Sequence, residues 1–337
     1  MKIDFYFPPQ PVSAAPAAAL RARELGFDGF FTAETAHDPF LPLAAAAIAQ
    51  PDLDLGTAIS VAFPRSPMVM AQTAWDLAGL TEGRFILGLG TQVKAHIVRR
   101  FGMEWTNAAG RLRDYIGALR AVWASFQTGE PLRYRSEHYT LSLLTPFFAP
   151  EPMEWADIPV AIAGVGPGLS RLAGEVCDGF HVHPFHTVRY LDEVVVPNVA
   201  AGAAEAGRSP HHVDLISTVF VVTGRDEAEM QRMRESVRAQ IAFYASTPSY
   251  RVVLDVHGWD FGDELNALSR RGAWQEMTAL VPDEVVDEVA VVAPVDEVGS
   301  AIKARYGDRL ARVGYYTLAG GVSLSDGDLS GIVADTR

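Results

Sequence analysis

Residues 53–96, LDLGTAISVAFPRSPMVMAQTAWDLAGLTEGRFILGLGTQVKAH, restrict the possible folds more than any other part of the chain. LDLGTAISVAF is a run of β-branched and small residues, the composition of a strand covered on both faces, as parallel strands are. PRSP breaks it. Over 68–80, Met70, Ala74, Leu77 and Ala78 recur at helical spacing, and Glu82-Gly83 is a stop signal before RFILGLG opens a second buried strand. Two buried strands joined by a helix make a parallel βαβ unit, because parallel partners need a crossover. The strands end in small or polar residues: Thr57, Ala58 and Ser60 in the first, Gly88, Gly90, Thr91 and Gln92 in the second. Such ends let main chain approach a flat ligand closely.

The same alternation runs along the rest of the chain. KIDFYF reads as strand one, and FDGFFTAE as strand two with its polar end at Thr32, Glu34 and Thr35. The 53–96 stretch supplies strands three and four. IPVAIAG is strand five, DGFHVHPF strand six, HHVDLISTVFVVTG a long strand seven and RVGYYTLAG strand eight, followed by a polar tail. Helices are predicted over 13–25 with Ser13 as N-cap, over the alanine-rich segment after AHDPFLP, and over 107–126, where Leu112, Ile116, Leu119 and Trp123 share a face. Further helices follow at 169–175, 192–206 and 296–306. Segment 130–150 alternates and turns like a hairpin, and 225–290 is mostly helical and longer than one connection requires. Eight strand-helix units without a linker predict a (βα)8 TIM barrel, one domain over 1–337 with insertions after strands 4 and 7. An open doubly wound sheet is the alternative, but eight parallel units close more naturally. Function in a barrel sits at the C-terminal ends of the strands. That rim holds Glu34, Thr35, His37 and segments 57–60, 91–96, 164–166 and 181–186.

With 49% hydrophobic and 20% charged residues among 337, the chain can bury a large core. A net charge of -13 argues against nucleic acid or an anionic membrane as the main partner. The single cysteine, Cys177, excludes internal disulfides and fits a reducing cytosol. MKIDFYFPPQ has no signal-peptide pattern, and no apolar run reaches membrane-span length, so a soluble cytoplasmic protein is expected.

Elimination narrows the chemistry. His181-x-His183 with His186 nearby invites a metal, but a barrel metal hydrolase would want an acid after strand eight and a further His or Lys after strand five. Tyr315, Tyr316 and Thr317 stand at the first place, Ala163 and Gly164 at the second. No metal ligand set is expected, and the rim histidines read as partners of neighbours or of a ligand anion. Glu34 is the one strand-end acid facing the mouth, and glycoside hydrolysis needs a pair. No nucleophile elbow occurs, and Cys177 beside Asp178 is a poor setting for a thiolate. Such a rim suits an enzyme whose cofactor supplies the chemistry. GVGPG, leading into a helix, is a candidate main-chain phosphate cradle, to which Arg251 and the histidines are candidates for added charge.

The motifs GTAISVAFPRSPMVMAQTAWDLAGLTEGRFILGLGTQVKAHI, ETAHDPFLP and PVAIAGVGPGLSRLAGEVCDGFHVHPF together resemble the luciferase-like monooxygenase superfamily. Within it they are most similar to the oxidoreductases that use the deazaflavin coenzyme F420. The resemblance extends over nearly the whole chain and implies a TIM barrel, a bound deazaflavin and hydride transfer to or from a small organic substrate. It places a non-proline cis peptide at Ala58-Ile59, behind the cofactor ring. It implicates Thr91, Gln92 and His96 in ring contacts, Gly164, Val165 and Gly166 in phosphate binding, and His181 as a further cofactor contact. The family's acid-histidine pair after strand two is represented by Glu34 followed by Thr35, with a histidine only at His37. Its acid after strand four is replaced by Val93. The catalytic proton role therefore falls to His37 or Glu34.

An FMN-dependent monooxygenase served by a separate reductase is the alternative cofactor reading. A cofactor-less ligand-binding barrel and a metal-dependent hydrolase are the alternatives of other classes. The substrate pocket is expected between 134–150 and 244–259, with Tyr139, Phe147, Phe148, Tyr250 and Trp259, and with Tyr6 and Phe7 as walls. The family also implies a homodimer, through helix 43–49 and the helix after PRSP.

Overall fold

The computed structural model describes residues 1–50, 52–316 and 324–337. Eight parallel strands form the barrel: β1 (Lys2–Phe7), β2 (Gly29–Thr32), β3 (Asp54–Thr57), β4 (Phe85–Gly90), β5 (Val160–Gly164), β6 (Gly179–Val182), β7 (Asp214–Val219) and β8 (Arg312–Tyr315). Each pairs with its sequence neighbours, β8 returns to β1 through Lys2↔Arg312, and β3 meets β4 through Leu55↔Phe85, so the sheet closes. The predicted TIM barrel is the observed fold.

The outer ring comprises α1 (Ala15–Glu24), α2 (Phe40–Ala49), α3 (Pro67–Leu80), α4 (Ala108–Thr128), α5 (Pro167–Val176), α6 (Val196–Glu205), α7 (Val298–Tyr306) and α8 (Asp326–Thr336). Local signals set their ends. Ser66 Oγ accepts from the Val69 N–H at 3.2 Å with Pro67 at the first position of α3, and Asn107 caps α4, which stops at Gly129 with φ +72°. After α4, Tyr134–Arg135 and Thr140–Leu141 pair antiparallel as a short hairpin. After β7, helices Glu227–Ala245, Arg251–His257, Gly262–Arg271, Trp274–Ala279 and Asp283–Val289 fill the second insertion.

Several elements differ from their sequence reading. The third strand is two pieces: β3 stops at Thr57, and Ser60–Val61 resumes the pairing against Leu89 and Gly90. The long seventh strand ends at Val219, and Val221–Val222 leaves the barrel to pair with Val291–Val292 at the base of the insertion. The first helix is capped by Ala14 after a 3-10 turn, so Ser13 is not the N-cap. The first turn of the predicted helix 192–206 is π-helical, Leu191–Val195, and the α-helix begins at Val196. The polar tail is helical, because Ser325 and Asp328 form a reciprocal capping box and Ile332 and Val333 are buried. Strand eight is described to Tyr315; Thr317 and the rest of TLAG lie outside the described residues.

The barrel interior is layered. At the N-terminal end, Arg312 donates Nε and Nη2 to Asp4 at 2.8 and 2.5 Å and Nη1 to Asp54 at 2.6 Å. Asp4 and Arg312 are 1% and 4% exposed, so each charge depends on the other for what water would supply. Above them Tyr6 stacks on Phe31, and glycines leave the space these rings need; a Cβ on Gly314 would lie 2.3 Å from the Tyr6 ring. His181 sits in this layer, 6% exposed and edge-on to Phe31. A Cβ at Gly88 would fall 1.8 Å from the Thr57 carbonyl oxygen and 2.7 Å from His181 Nε2, so that position admits only glycine. His186, 1% exposed, donates Nδ1–H to the His183 carbonyl at 2.9 Å. Among the described residues, Nε2 of both His181 and His186 has no hydrogen-bond partner.

Two stability predictions follow from these layers. Arg312→Met strands Asp4 in the core and is expected to lower unfolding free energy in urea by about 3–5 kcal/mol. Pairing it with Asp4→Asn should recover a large part, and an unchanged midpoint for the single variant would refute the role given to the cluster. Burial pushes His181 and His186 down to about 4. A depressed pKa means the unfolded chain binds more protons in acid. The stabilisation is therefore present above pH 6.5 and fades as pH falls toward 4, by roughly 3 kcal/mol per histidine. Thermal melts across that window should fall steeply, and His186→Asn should flatten the decline.

Candidate functional site

The break in the third strand shapes one side of the mouth. The Ala58–Ile59 peptide is cis. Main-chain bonds fix the bulge to the end of β2: Ala58 N–H donates to the Thr32 carbonyl at 2.7 Å and Glu34 N–H to the Ile59 carbonyl at 3.0 Å. Ile59 lies over Gly90, where a Cβ would approach it to 2.6 Å. Glu34, 9% exposed, accepts through Oε2 from Val61 N–H at 2.7 Å, Ser60 Oγ at 3.3 Å and Arg65 Nη1 at 2.7 Å. Arg65 reaches on to Asp38 Oδ2 at 2.7 Å, and Asp38 Oδ1 accepts from the Phe40 N–H at the start of α2. The carboxylate of Glu34 is thus the anchor of the bulge, while His37, three residues on, is exposed on the loop above.

The loop after β4 adjoins it. Thr91 is half-buried; Gln92 adopts φ +55° and turns its Oε1 back onto the Val93 N–H at 2.9 Å. Val93 caps the short helix Lys94–Arg99, on which His96 is exposed. Arg100 donates to the Thr35 carbonyl and so ties this loop to the one carrying His37. After β5, Val165 offers its carbonyl to the Tyr190 hydroxyl, and Gly166 caps α5 without any side-chain bond. A side chain built at Gly166 or Gly168 would meet nothing within 4 Å. The turn is therefore open main chain at a helix start, a fit for a phosphate group. Arg251 does not serve it, being paired with Asp263.

The opposite wall comes from β6–β8 and the second insertion. His183 accepts through Nδ1 from the Phe185 N–H at 3.1 Å and packs between Tyr244 and Tyr250, each with its ring centroid 4.5 Å away. Burial pushes its imidazole down to about 3, so it is neutral at physiological pH. The Tyr244 and Tyr316 hydroxyls are 2.5 Å apart, above the buried ring of Phe220. Tyr244 opens the segment expected to line the pocket, but its pairing with Tyr316 carries no motif in the sequence. Tyr316 was readable from parity, since Arg312, Gly314 and Tyr316 alternate inward along β8.

The other predicted lining residues have the following contacts. Tyr139 packs on Tyr115, and its hydroxyl accepts from Arg111. Trp259 stacks on His257. Phe147 and Phe148 are 89% and 65% exposed. Phe7 packs outward on Phe30, leaving Tyr6 alone of that pair inside the barrel. Cys177 is fully buried with its thiol pushed up by desolvation, unfit as a nucleophile. Among the described residues no group of three or more His, Cys, Asp or Glu side chains is placed to hold a metal ion, and no helix is long and apolar enough to cross a membrane.

Comparison with known proteins places these features in a family. The family profile described as luciferase-like monooxygenase matches residues 6–312. An uncharacterised protein of Mycobacterium bovis is 46% identical over 306 residues, covering 90% of each chain. A Mycobacterium tuberculosis protein, named as a proposed coenzyme F420-dependent oxidoreductase, is 29% identical over 321 residues, 87% of each chain. The solved structure of coenzyme F420-dependent tetrahydromethanopterin reductase from Methanopyrus kandleri superposes with a TM-score of 0.79 at 20% identity, covering 99% of this chain and 97% of that one. Solved structures sharing the fold include an FMN complex as well as F420-dependent enzymes. With the profile spanning the barrel from β1 into β8, the chain belongs to the luciferase-like monooxygenase family of oxidoreductases.

Proposed function

We propose that this chain is an F420-dependent oxidoreductase that moves a hydride between the deazaflavin and a small organic substrate. The observation that carries the reading is the mouth itself, which presents open main chain where other barrel enzymes present reactive side chains. The Ala58–Ile59 bulge and the half-buried Thr91 flank one side, and the turn at Gly164, Val165 and Gly166 leads into the start of α5 with open space beside Gly166 and Gly168. The one carboxylate beside the bulge, Glu34, is engaged by Arg65 and the Val61 N–H. Deazaflavin is preferred over FMN because a relative 29% identical to this chain is named for F420. The bound cofactor supplies a two-electron hydride carrier. The protein orients it, excludes water and manages the accompanying proton.

Residues proposed to hold the cofactor are Ala58, Ile59, Thr91, Gln92 and His96 around the ring, and Gly164, Val165 and Gly166 at the phosphate. His181 supports the ring from beneath as a buried, neutral imidazole. His37 is proposed to bring the proton in from solvent, since its imidazole is exposed beside the mouth. Glu34 is proposed to hold the bulge in place, because its Oε2 already accepts hydrogen bonds from Val61, Ser60 and Arg65.

Titration of the purified protein with oxidised F420 and separately with FMN, followed by fluorescence, should show saturable F420 binding and much weaker FMN binding. Preference for FMN would convert the proposal to a reductase-coupled monooxygenase, and indifference to both would sink the cofactor claim. His37→Gln should lower kcat by about a hundredfold with cofactor affinity unchanged, and added imidazole should restore part of the loss. Full activity in that variant would show that the proton enters elsewhere.

A further inference from the structure

Three tyrosines and a histidine from four segments meet on the β6–β8 side of the mouth. Tyr316 ends the inward-facing series of β8, Tyr244 comes from helix Glu227–Ala245, Tyr250 closes the 3-10 turn Pro248–Tyr250, and His183 follows β6. The pairing order of the strands places β7 four positions from β3, so this wall faces the Ala58–Ile59 bulge across the barrel.

The contact between the Tyr244 and Tyr316 hydroxyls is the distinctive element. Each phenol carries one proton. Whichever hydroxyl donates across their 2.5 Å contact, the accepting one keeps an O–H that the pair does not use. Accepting a hydrogen bond also strengthens that remaining O–H as a donor. The surroundings are mostly apolar rings: Phe220 lies 4.7 Å from Tyr316 and 6.3 Å from Tyr244, Phe185 stacks 6.5 Å from Tyr244, and the neutral Gln240 amide is the polar neighbour of the Tyr244 hydroxyl. Desolvation raises the Tyr244 phenol well above its ordinary value, and His183 beside it is a weak base, its Nδ1 lone pair taken by the Phe185 N–H and its charged form disfavoured by burial. The result is a proton donor in an aromatic pocket, with no carboxylate or ammonium among the side chains packed against it.

We infer that the Tyr244–Tyr316 hydroxyl pair binds the oxygen of a carbonyl substrate with an apolar body and delivers the proton to that oxygen. The inference rests on the hydride-transfer reading given above, adds the substrate class, and assigns delivery of the proton to the substrate oxygen to the tyrosine pair, leaving His37 the exchange of protons between the mouth and solvent. In the reducing direction the carbonyl carbon gains the hydride from reduced deazaflavin, forming the C–H bond, and the C=O π pair moves onto oxygen. The oxygen takes the unengaged hydroxyl proton, giving the alcohol, and solvent returns a proton to the tyrosine pair. Two electrons pass from the deazaflavin, which ends oxidised, to the substrate. The nascent alkoxide is much more basic than a phenolate, so the proton runs downhill. A pocket built around such a donor discriminates against an isostere lacking the oxygen, because the donor would then be left unpaired.

Acetophenone and its oxygen-free isostere α-methylstyrene are suitable probes. In protein loaded with reduced F420, acetophenone should oxidise the cofactor and α-methylstyrene should not. Tyr244→Phe and Tyr316→Phe should each lower kcat/KM for acetophenone by about a hundredfold with F420 affinity unchanged. The solvent deuterium isotope effect should change with them. Tyr315→Phe, which removes a hydroxyl that meets Thr336 on the outer side of the barrel, should change none of these. The infrared stretch of carbonyl-labelled acetophenone bound to the F420 complex gives a readout independent of turnover. It should lie lower in the unmodified protein than in either variant. Normal F420 binding with no oxidation by acetophenone, or folded variants with unaltered kcat/KM and carbonyl stretch, would overturn the inference. Failure to bind F420 would instead overturn the reading beneath it.

Discussion

A buried guanidinium closes this barrel. Arg312 on β8 holds Asp4 on β1 and Asp54 on β3, joining strands from both sides of the seam where the chain's last strand meets its first. The cluster is nearly sealed from water, so its geometry is dictated by charge pairing rather than by shape. Aromatic rings stand above it, and glycines face them because the interior of an eight-stranded barrel is only wide enough for such complementary pairs. Each layer therefore restricts the next, and the mouth inherits its shape from the charges at the opposite end.

At the mouth the two sides divide their work. The β2–β4 side is held by main-chain bonds and by Glu34, whose carboxylate joins the bulge, Arg65 and, through Arg65, the start of α2. Removing that carboxylate would free the bulge before it touched any chemistry. The β6–β8 side is made of aromatic rings with few polar atoms, each polar atom being constrained. A rigid polar backing facing an apolar wall is the arrangement expected when a planar ring and an organic substrate must stack between them.

The closed barrel was legible because its strands are buried on both faces and so appear as unbroken apolar runs separated by helical periodicity. Strand ends were less legible, since apolar composition continues past the last ladder hydrogen bond. Phe220 is fully buried yet outside β7, and Ala58 and Ile59 interrupt an apparently continuous strand. The C-terminal helix was missed although Ser325 and Asp328 carry the capping-box spacing, because the segment is short and polar. In the site, main-chain features such as the glycine turn could be placed from local sequence. The anchoring of Glu34 by Arg65 and the meeting of Tyr244 with Tyr316 could not, because they join residues 31 and 72 positions apart whose proximity is a property of closure.

The second insertion departs from the barrel after Val222 and returns at Val291, and these two ends lie side by side in one two-residue parallel ladder. A segment whose ends are neighbours places no demand on the separation of the strands it interrupts. Evolution or an engineer can therefore exchange this cassette between relatives without re-registering β7 or β8. The barrel would keep its strand order while the transplanted segment brought different side chains, in place of Tyr244 and Tyr250, to the β6–β8 side of the mouth.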